Sequence, residues 1–320
     1  MILVTGGTGF IGGHLLDKLT ARGATVRCLM RRKAGRPLPE AVEPAYGDLT
    51  TGQGLDEALR GVTEVFHLAG VTKALTRDDY YAGNARATEN LAQALSGRRV
   101  RLVHVSSLAA IGPSPDGVPV PEDAEPQPLT HYGKSKLEGE RIVRRLGPDA
   151  VIVRPPVVYG PRDRDVFQIL KSISRGLVIE ISGGERWFSA IYVEDLVEGL
   201  LAAIGSPAAA GRTYFLAHPK PASWGELGSI AAGIMGRRTR VVRVPPMLAH
   251  AAGWCAEVWS RVTRQPGIVS RDKVAEAQCK YWTCDTRRAA AELGFQAKTP
   301  LDAGLARTLA WYKEAGWLTY

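Results

Sequence analysis

Residues 5–12 read Thr-Gly-Gly-Thr-Gly-Phe-Ile-Gly, and they constrain the fold more than any other stretch of the chain. An apolar β-type run, ILVTG, leads into them. The segment that follows, GGHLLDKLTARG, places Leu15, Leu16 and Leu19 at helical spacing and stops at Gly23. A glycine loop between strand and helix lets backbone approach an anionic group closely, with free amides and the positive end of the helix dipole directed at it. The same glycines would also serve a plain turn, so the rest of the chain decides.

That rest alternates strand and helix patterns. TVRCLMR, EPAYGDL, LDEALRGV, EVFHLAG, NARATENLAQALS, VRLVHVSS, HYGKSKLEGERIVRRL and AVIVRPP repeat a βαβ unit. The predicted fold is α/β, a doubly wound parallel sheet of the Rossmann type over residues 1–156. Beyond 156 the pattern loosens into a smaller, helix-rich C-terminal substrate domain over 157–320, with about 187–218 returning to the first unit. Segment 112–128 is Pro-rich, acidic and too irregular for an element, and it lies where loops commonly carry function. Ser223 and Glu226 have the S-x-x-E spacing of a capping box at a helix start.

Composition narrows the setting. The chain has 320 residues, 45% hydrophobic and 23% charged, as in ordinary globular proteins. No apolar run reaches the roughly 18 residues that a membrane span needs, and no charged n-region precedes MILVTGG, so a cytoplasmic protein without a signal peptide is expected. Cys28, Cys255, Cys279 and Cys284 are scattered without metal-ligand or CxxC spacing, which fits reduced thiols and no metal. The net charge of +9 comes partly from short arginine clusters at 31, 32 and 36, at 98, 99 and 101, and at 237, 238 and 240. They are dispersed and lack interleaved aromatics, so nucleic acid is not expected; phosphate on a small cofactor is the better use.

In this context Gly6, Gly9 and Gly12 predict a pyrophosphate cradle for a dinucleotide. The second strand ends CLMRRK, placing Arg31 and Arg32 where an NAD site usually offers an acid, so NADP(H) is favoured over NAD(H). Asp48 follows the third strand, where an adenine edge could be met, and Leu68, Ala69 and Gly70 end the fourth. Tyr132 and Lys136 are four apart and share a helix face. A phenol has a pKa near 10, and an adjacent ammonium stabilises its phenolate, so the pair can exchange a proton with an alcohol or carbonyl oxygen while hydride moves. Ser107, at the end of VRLVHVSS, could hydrogen-bond that oxygen. His67 and His104 lie in β runs and are expected to be satisfied sheet residues; His131 is expected to point off the Tyr132 face.

These motifs together resemble the extended short-chain dehydrogenase/reductases, the NAD(P)-dependent epimerase/dehydratase family. The resemblance covers nearly the whole chain: TGGTGFIG, GDL, HLAG, NARATENLAQAL, SSLAAIG, YGKSK, RPPVVYGP, FSAIYVEDL and LGF…TPLDAGLARTLAWY. It implies that Ser107, Tyr132 and Lys136 are the catalytic residues and that Asn84 matches the family asparagine. It also implies cofactor contacts from Gly6, Thr8, Gly9, Phe10, Ile11, Gly12, Arg31, Arg32, Asp48, Leu49, Leu68, Ala69, Gly70, Ser106, Tyr132, Lys136, Pro155 and Val157, in a homodimer. Two departures matter. Val157 stands where nucleotide-sugar members carry an asparagine that helps hold the sugar nucleotide's diphosphate, and the CLMRR strand end looks more like reductases similar to dihydroflavonol reductases and 3β-hydroxysteroid dehydrogenases. The expectation is therefore an NADP(H)-preferring oxidoreductase on a secondary alcohol or ketone. A sugar epimerase or dehydratase and a non-catalytic NADP-binding subunit are the alternatives.

Residues 245–266 form an amphipathic helix pattern with apolar residues at 247/248, 251, 254/255, 258/259 and 262, and with His250, Gly253, Glu257 and Arg261 on the other side. The expected use of the stripe is packing onto the small domain. A wall of an apolar substrate pocket, a membrane-surface contact and an oligomer contact are the other readings.

Overall fold

The computed structural model describes the chain except for residues 32–36, 264–266 and 268–270. Its strands begin with β1 (Ile2–Thr5), β2 (Val26–Met30), β3 (Val42–Tyr46), β4 (Glu64–His67), β5 (Arg101–Val105), β6 (Ala150–Arg154) and β7 (Val157–Tyr159). They continue as β8 (Leu177–Ile181), β9 (Trp187–Phe188), β10 (Ala190–Tyr192), β11 (Thr213–Phe215), β12 (Ala222–Ser223), β13 (Arg240–Val244) and β14 (Tyr281–Trp282). The main helices are α1 (Phe10–Ala21), α2 (Leu55–Ala58), α3 (Arg77–Tyr81), α4 (Ala87–Leu95), α5 (His131–Arg144) and α6 (Val166–Ser174). After them come α7 (Val193–Gly205), α8 (Trp224–Ile234), α9 (Pro246–Thr263), α10 (Arg271–Gln278), α11 (Arg287–Leu293) and α12 (Leu301–Glu314).

Seven strands make one parallel sheet in the order β11-β6-β5-β4-β1-β2-β3. Its inner strands are apolar runs because helices cover both faces: Leu3, Val4, Val65, Phe66 and Val103 are fully buried. Leu15, Leu16 and Leu19 of α1 and Leu196, Leu200 and Ala203 of α7 close one face. Leu55, Leu59, Leu91 and Val143 close the other. The order reverses between β1 and β4, and in such sheets ligands bind in the crevice outside the strand ends at that point. A second core gathers Tyr159, Leu170, Phe188, Leu227, Leu309 and Tyr312 around α6, α8 and α12.

Two local expectations change on contact with the structure. Ser223 does cap α8, accepting from the Glu226 amide at 3.1 Å, but the Glu226 carboxylate turns to Lys220 at 3.4 Å instead of reaching back to the cap. The larger change is α9. Its small and polar side faces the protein: Ala249 and Gly253 are buried, and Ala256, Glu257 and Ser260 are half-buried. Its apolar stripe faces outward, with Met247 at 80% and Trp259 at 70% exposure. The inward side is fixed by polar contacts to α10, where Glu257 accepts from the Arg271 amide and His250 Nε2 lies 2.8 Å from Gln278 Nε2. Among the described residues no helix is long and apolar enough to cross a membrane.

Candidate active site

The glycine loop sits at the switch point because nothing larger fits. Gly6 adopts φ +75°, and a Cβ there would stand 2.6 Å from the Ala69 amide nitrogen of the loop after β4. A Cβ on Gly12 would stand 2.2 Å from the Gly6 carbonyl oxygen. Gly9, exposed at the N-cap of α1, donates to that same carbonyl at 3.0 Å. No side chain caps α1 and no acid occupies its first turn, so its terminal amides keep their capacity for an anion. Phe10, Ile11 and Thr8 are half-buried around the loop. This cradle, which side chains at positions 6 and 12 would fill, fits a dinucleotide pyrophosphate.

At the adenosine end, Arg31 is exposed just beyond β2, and Arg32 lies outside the described residues. Asp48 accepts from the Thr50 amide and hydroxyl, both at 2.7 Å. These bonds, with a smaller contribution from the Arg31 charge, hold its carboxyl below the usual range. Leu49, Leu68 and Ala69 are half-buried and Gly70 is exposed along the same rim.

The chemistry-bearing residues come from β5 and α5. Thr130 caps α5, accepting from the Gly133 amide at 3.1 Å, which orients Tyr132 and Lys136 toward the ends of β4 and β5. Lys136 is buried and donates to the Val105 carbonyl at 2.7 Å, two residues before Ser107. Burial pushes its pKa down to about 8. Burial also raises the Tyr132 pKa, opposed by a hydrogen bond from Ser107 and by the charge of Lys273. The structure thus brings Ser107, Tyr132 and Lys136 together. It corrects the expected direction for the phenol, because loss of water around Tyr132 outweighs the groups favouring phenolate. Pro155 accepts from the Leu108 amide at 2.9 Å, which places it against the segment after Ser107, and half-buried Val157 follows at the start of β7.

Asn84 sits in a π-helical turn over Ala82–Arg86. Its amide bridges the Val71 backbone, accepting at 2.7 Å and donating at 3.0 Å, and it donates to Ser135 at 2.9 Å. It ties the loop after β4 to the turn of α5 that carries Tyr132 and Lys136. Below them Glu140, with 0% side-chain exposure, accepts from Ser106 at 2.6 Å and from Arg154 at 2.7 and 2.8 Å. The Ser106 hydroxyl thus clamps α5 to the sheet.

The histidines divide. His67 bonds Thr5 at 2.7 Å and Thr88 at 3.0 Å, and burial pushes its pKa down to about 3. His104, its ring 5.2 Å from that of His67 and tilted by 36°, has neither ring nitrogen hydrogen-bonded among the described residues. That corrects the expectation of a satisfied sheet residue: the strand supplies backbone partners only, and the facing Gly139 has no side chain to offer. The His131 Nδ1 is also buried without a partner among the described residues, while its amide donates to Asp272 at 3.0 Å.

Residues of α10 were missed by sequence reasoning. Lys273 lies 5.8 Å from the Tyr132 ring centre and pairs with Glu276 at 2.7 Å, and Glu276 accepts from Thr130 at 3.1 Å. Tyr80 of α3 approaches the same ring at 6.4 Å. The sequence RDKVAEAQ reads as an exposed charged helix, and nothing in its pattern signals contact with residues some 140 positions earlier.

With this geometry in view, the model of the NAD dependent epimerase/dehydratase family matches residues 2–217. The chain belongs to that family. A ceramide reductase of Caulobacter vibrioides is 32% identical over 320 residues, covering 99% of this chain and 96% of that protein. An Escherichia coli O157:H7 4-epimerase of N-acetyl-α-D-glucosaminyl-diphospho-ditrans,octacis-undecaprenol is 28% identical, covering 96% and 94%. Among solved structures, MoeE5 in complex with UDP-glucose and NAD superposes with a TM-score of 0.79 at 26% identity, covering 98% of this chain and 99% of that one. This member of the NAD dependent epimerase/dehydratase family is therefore an NAD-dependent enzyme of the extended short-chain dehydrogenase/reductase type, with both reductases and epimerases among its relatives.

Proposed function

We propose that this enzyme interconverts a secondary alcohol and a ketone on an apolar substrate, with NADP(H) preferred over NAD(H). The observation that carries the reading is the meeting of Ser107, Tyr132 and Lys136 at the strand ends beside the glycine cradle. The bound nicotinamide supplies or accepts the hydride. Tyr132 exchanges the proton with the substrate oxygen, and Ser107 donates a hydrogen bond to that oxygen. Lys136, held by the Val105 carbonyl, places a positive charge beneath them and binds the nicotinamide ribose. Arg31 at the end of β2, with Arg32 after it in sequence, supports the extra phosphate; Val157, in place of an asparagine, and the ceramide reductase relative support an apolar substrate.

Tyr132→Phe should lower kcat by about 10²–10⁴-fold while cofactor titration stays near wild type; retained turnover would remove the assignment. Arg31→Ala with Arg32→Ala should weaken NADPH far more than NADH. The lipid-linked epimerase relative supports a second reading, in which one substrate is oxidised and reduced again on tightly held cofactor. Stoichiometric NADPH consumption against a panel of long-chain ketones favours the first; cofactor that copurifies and is not consumed favours the second.

A further inference from the structure

We propose that the outward face of α9, with Arg237, Arg238 and Arg240 on the segment leading to it, docks the enzyme on an anionic phospholipid bilayer. The helix is amphipathic in the reverse sense for a globular protein. Trp254, Val258, Trp259 and Val262 point away from the body, with Met247 and Leu248 at its start. Six large apolar side chains on one helical face exceed what scattered surface exposure produces. The single acid of α9, Glu257, is turned inward onto the Arg271 amide, so no carboxylate of this helix interrupts the outer face.

Charge argues for lipid over an apolar protein partner. Arg237, Arg238, Arg240 and Arg243 are all exposed on the segment that runs into α9. On β13 the alternation puts Val242 beside Arg240 on one side, with its register partner Ile179 on β8 63% exposed, and turns Arg243 to the other side, where it lies 3.8 Å from Glu180. Basic residues flanking an apolar, tryptophan-bearing helix match a bilayer surface: headgroup phosphates meet the guanidinium groups, and indole rings sit at the headgroup boundary.

The surface is also one helix away from the candidate site. The inner side of α9 packs on α10, and α10 presents Lys273 to Tyr132. A docked enzyme thus holds its proton-exchanging residue close to the bilayer, where an apolar alcohol or ketone is concentrated. The use of the surface rests on the apolar-substrate reading above; its existence does not.

The test is flotation of the full chain with vesicles of phosphatidylcholine and phosphatidylglycerol (3:1) or of phosphatidylcholine alone. Wild type should float with the anionic vesicles, at least about tenfold more strongly than with neutral ones, and should be released by raised salt. Trp254→Glu with Trp259→Glu should lower binding at least about tenfold, and Arg238→Glu with Arg240→Glu should abolish the preference for anionic vesicles. Cofactor titration shows that the variants remain folded. Wild type left in the soluble fraction, or variants that float like wild type, would overturn the proposal. So would a wild-type dimer that the tryptophan variant turns into a monomer while vesicles bind neither, since the face would then join two copies of this chain. NAD(P)H oxidation with a short water-soluble ketone, without vesicles, reports separately on the redox reading: its loss with flotation intact refutes that reading alone.

Discussion

The sheet around β1 and the β13–α9 segment use the same sequence device with opposite results. In α1, Leu15, Leu16 and Leu19 recur at helical spacing and vanish into the core. In α9, Trp254, Val258, Trp259 and Val262 recur as regularly and face outward. Periodicity states which residues share a face. It does not state which side that face is on, because the partner surface decides. Beneath α1 lies a sheet of fully buried valines and leucines. Beneath α9 lies α10, which offers Gln278 and the Arg271 amide, and only small or polar residues of α9 can meet them closely.

The sheet region should break hardest where its few polar groups are buried. Arg154→Met removes the fully buried cation from a Glu140 carboxylate with no exposure, leaving it Ser106 and the half-exposed Arg144, and should cost about 3 kcal/mol in denaturant unfolding. Because Glu140 braces α5 one turn beyond Lys136, the same variant should lower kcat more than it raises KM. Gly12→Ala comes next. Its Cβ would stand 2.2 Å from the Gly6 carbonyl, so the loop must move, and cofactor affinity should fall by about 100-fold, on the order of 3 kcal/mol. An unchanged Kd by fluorescence titration would mean that the cradle does not hold pyrophosphate.

Much of this was legible in the chain. The parallel sheet followed from alternation of apolar β runs and helical spacing, and the loop at its switch point stood out through glycines that a tight approach requires. Ser107, Tyr132 and Lys136 were legible because helix spacing and a strand end suffice to bring them together. What stayed hidden depends on distant partners. Lys273 and Glu276 meet Tyr132 and Thr130 across a long separation, and Ser106 differs from Ser107 only in which side of the strand end it faces. His104 looked like any histidine in a strand until its neighbours, Gly139 among them, proved unable to bond it.

Protonation gives smaller, graded effects within the sheet region. With Lys136 pushed down to about 8, the ammonium is lost above that pH in the free enzyme. The kcat/KM of reduction should then fall above pH about 8, by about tenfold per unit, and Lys136→Arg should move this limb upward. For stability the buried histidines set the sign. His67 is held down to about 3 and His104 well below its ordinary value, so between those values and about 6.5 the unfolded chain binds protons that the folded chain refuses. Unfolding free energy should therefore fall as pH drops below about 6.5. His104→Leu should reduce that slope and change stability at pH 7.5 by about 1 kcal/mol or less, since it removes two unbonded nitrogens along with packing.

The smallest expected effect is the most direct test of the comparison. Leu200 of α7 is fully buried, and Leu200→Ala should cost about 2–5 kcal/mol. Met247 and Val262 are as apolar but 80% and 73% exposed, so Met247→Gln and Val262→Gln remove little contact. Glutamine forms helix about as well as methionine and better than valine, so propensity adds no penalty. Each variant should leave unfolding free energy within about 0.5 kcal/mol of wild type in detergent-free buffer. A loss of several kcal/mol would mean that the stripe is packed against something in solution, and the reversed orientation of α9 would fail. If both variants stay neutral while Leu200→Ala unfolds readily, identical periodicity is being used for the core in one region and for an external surface in the other.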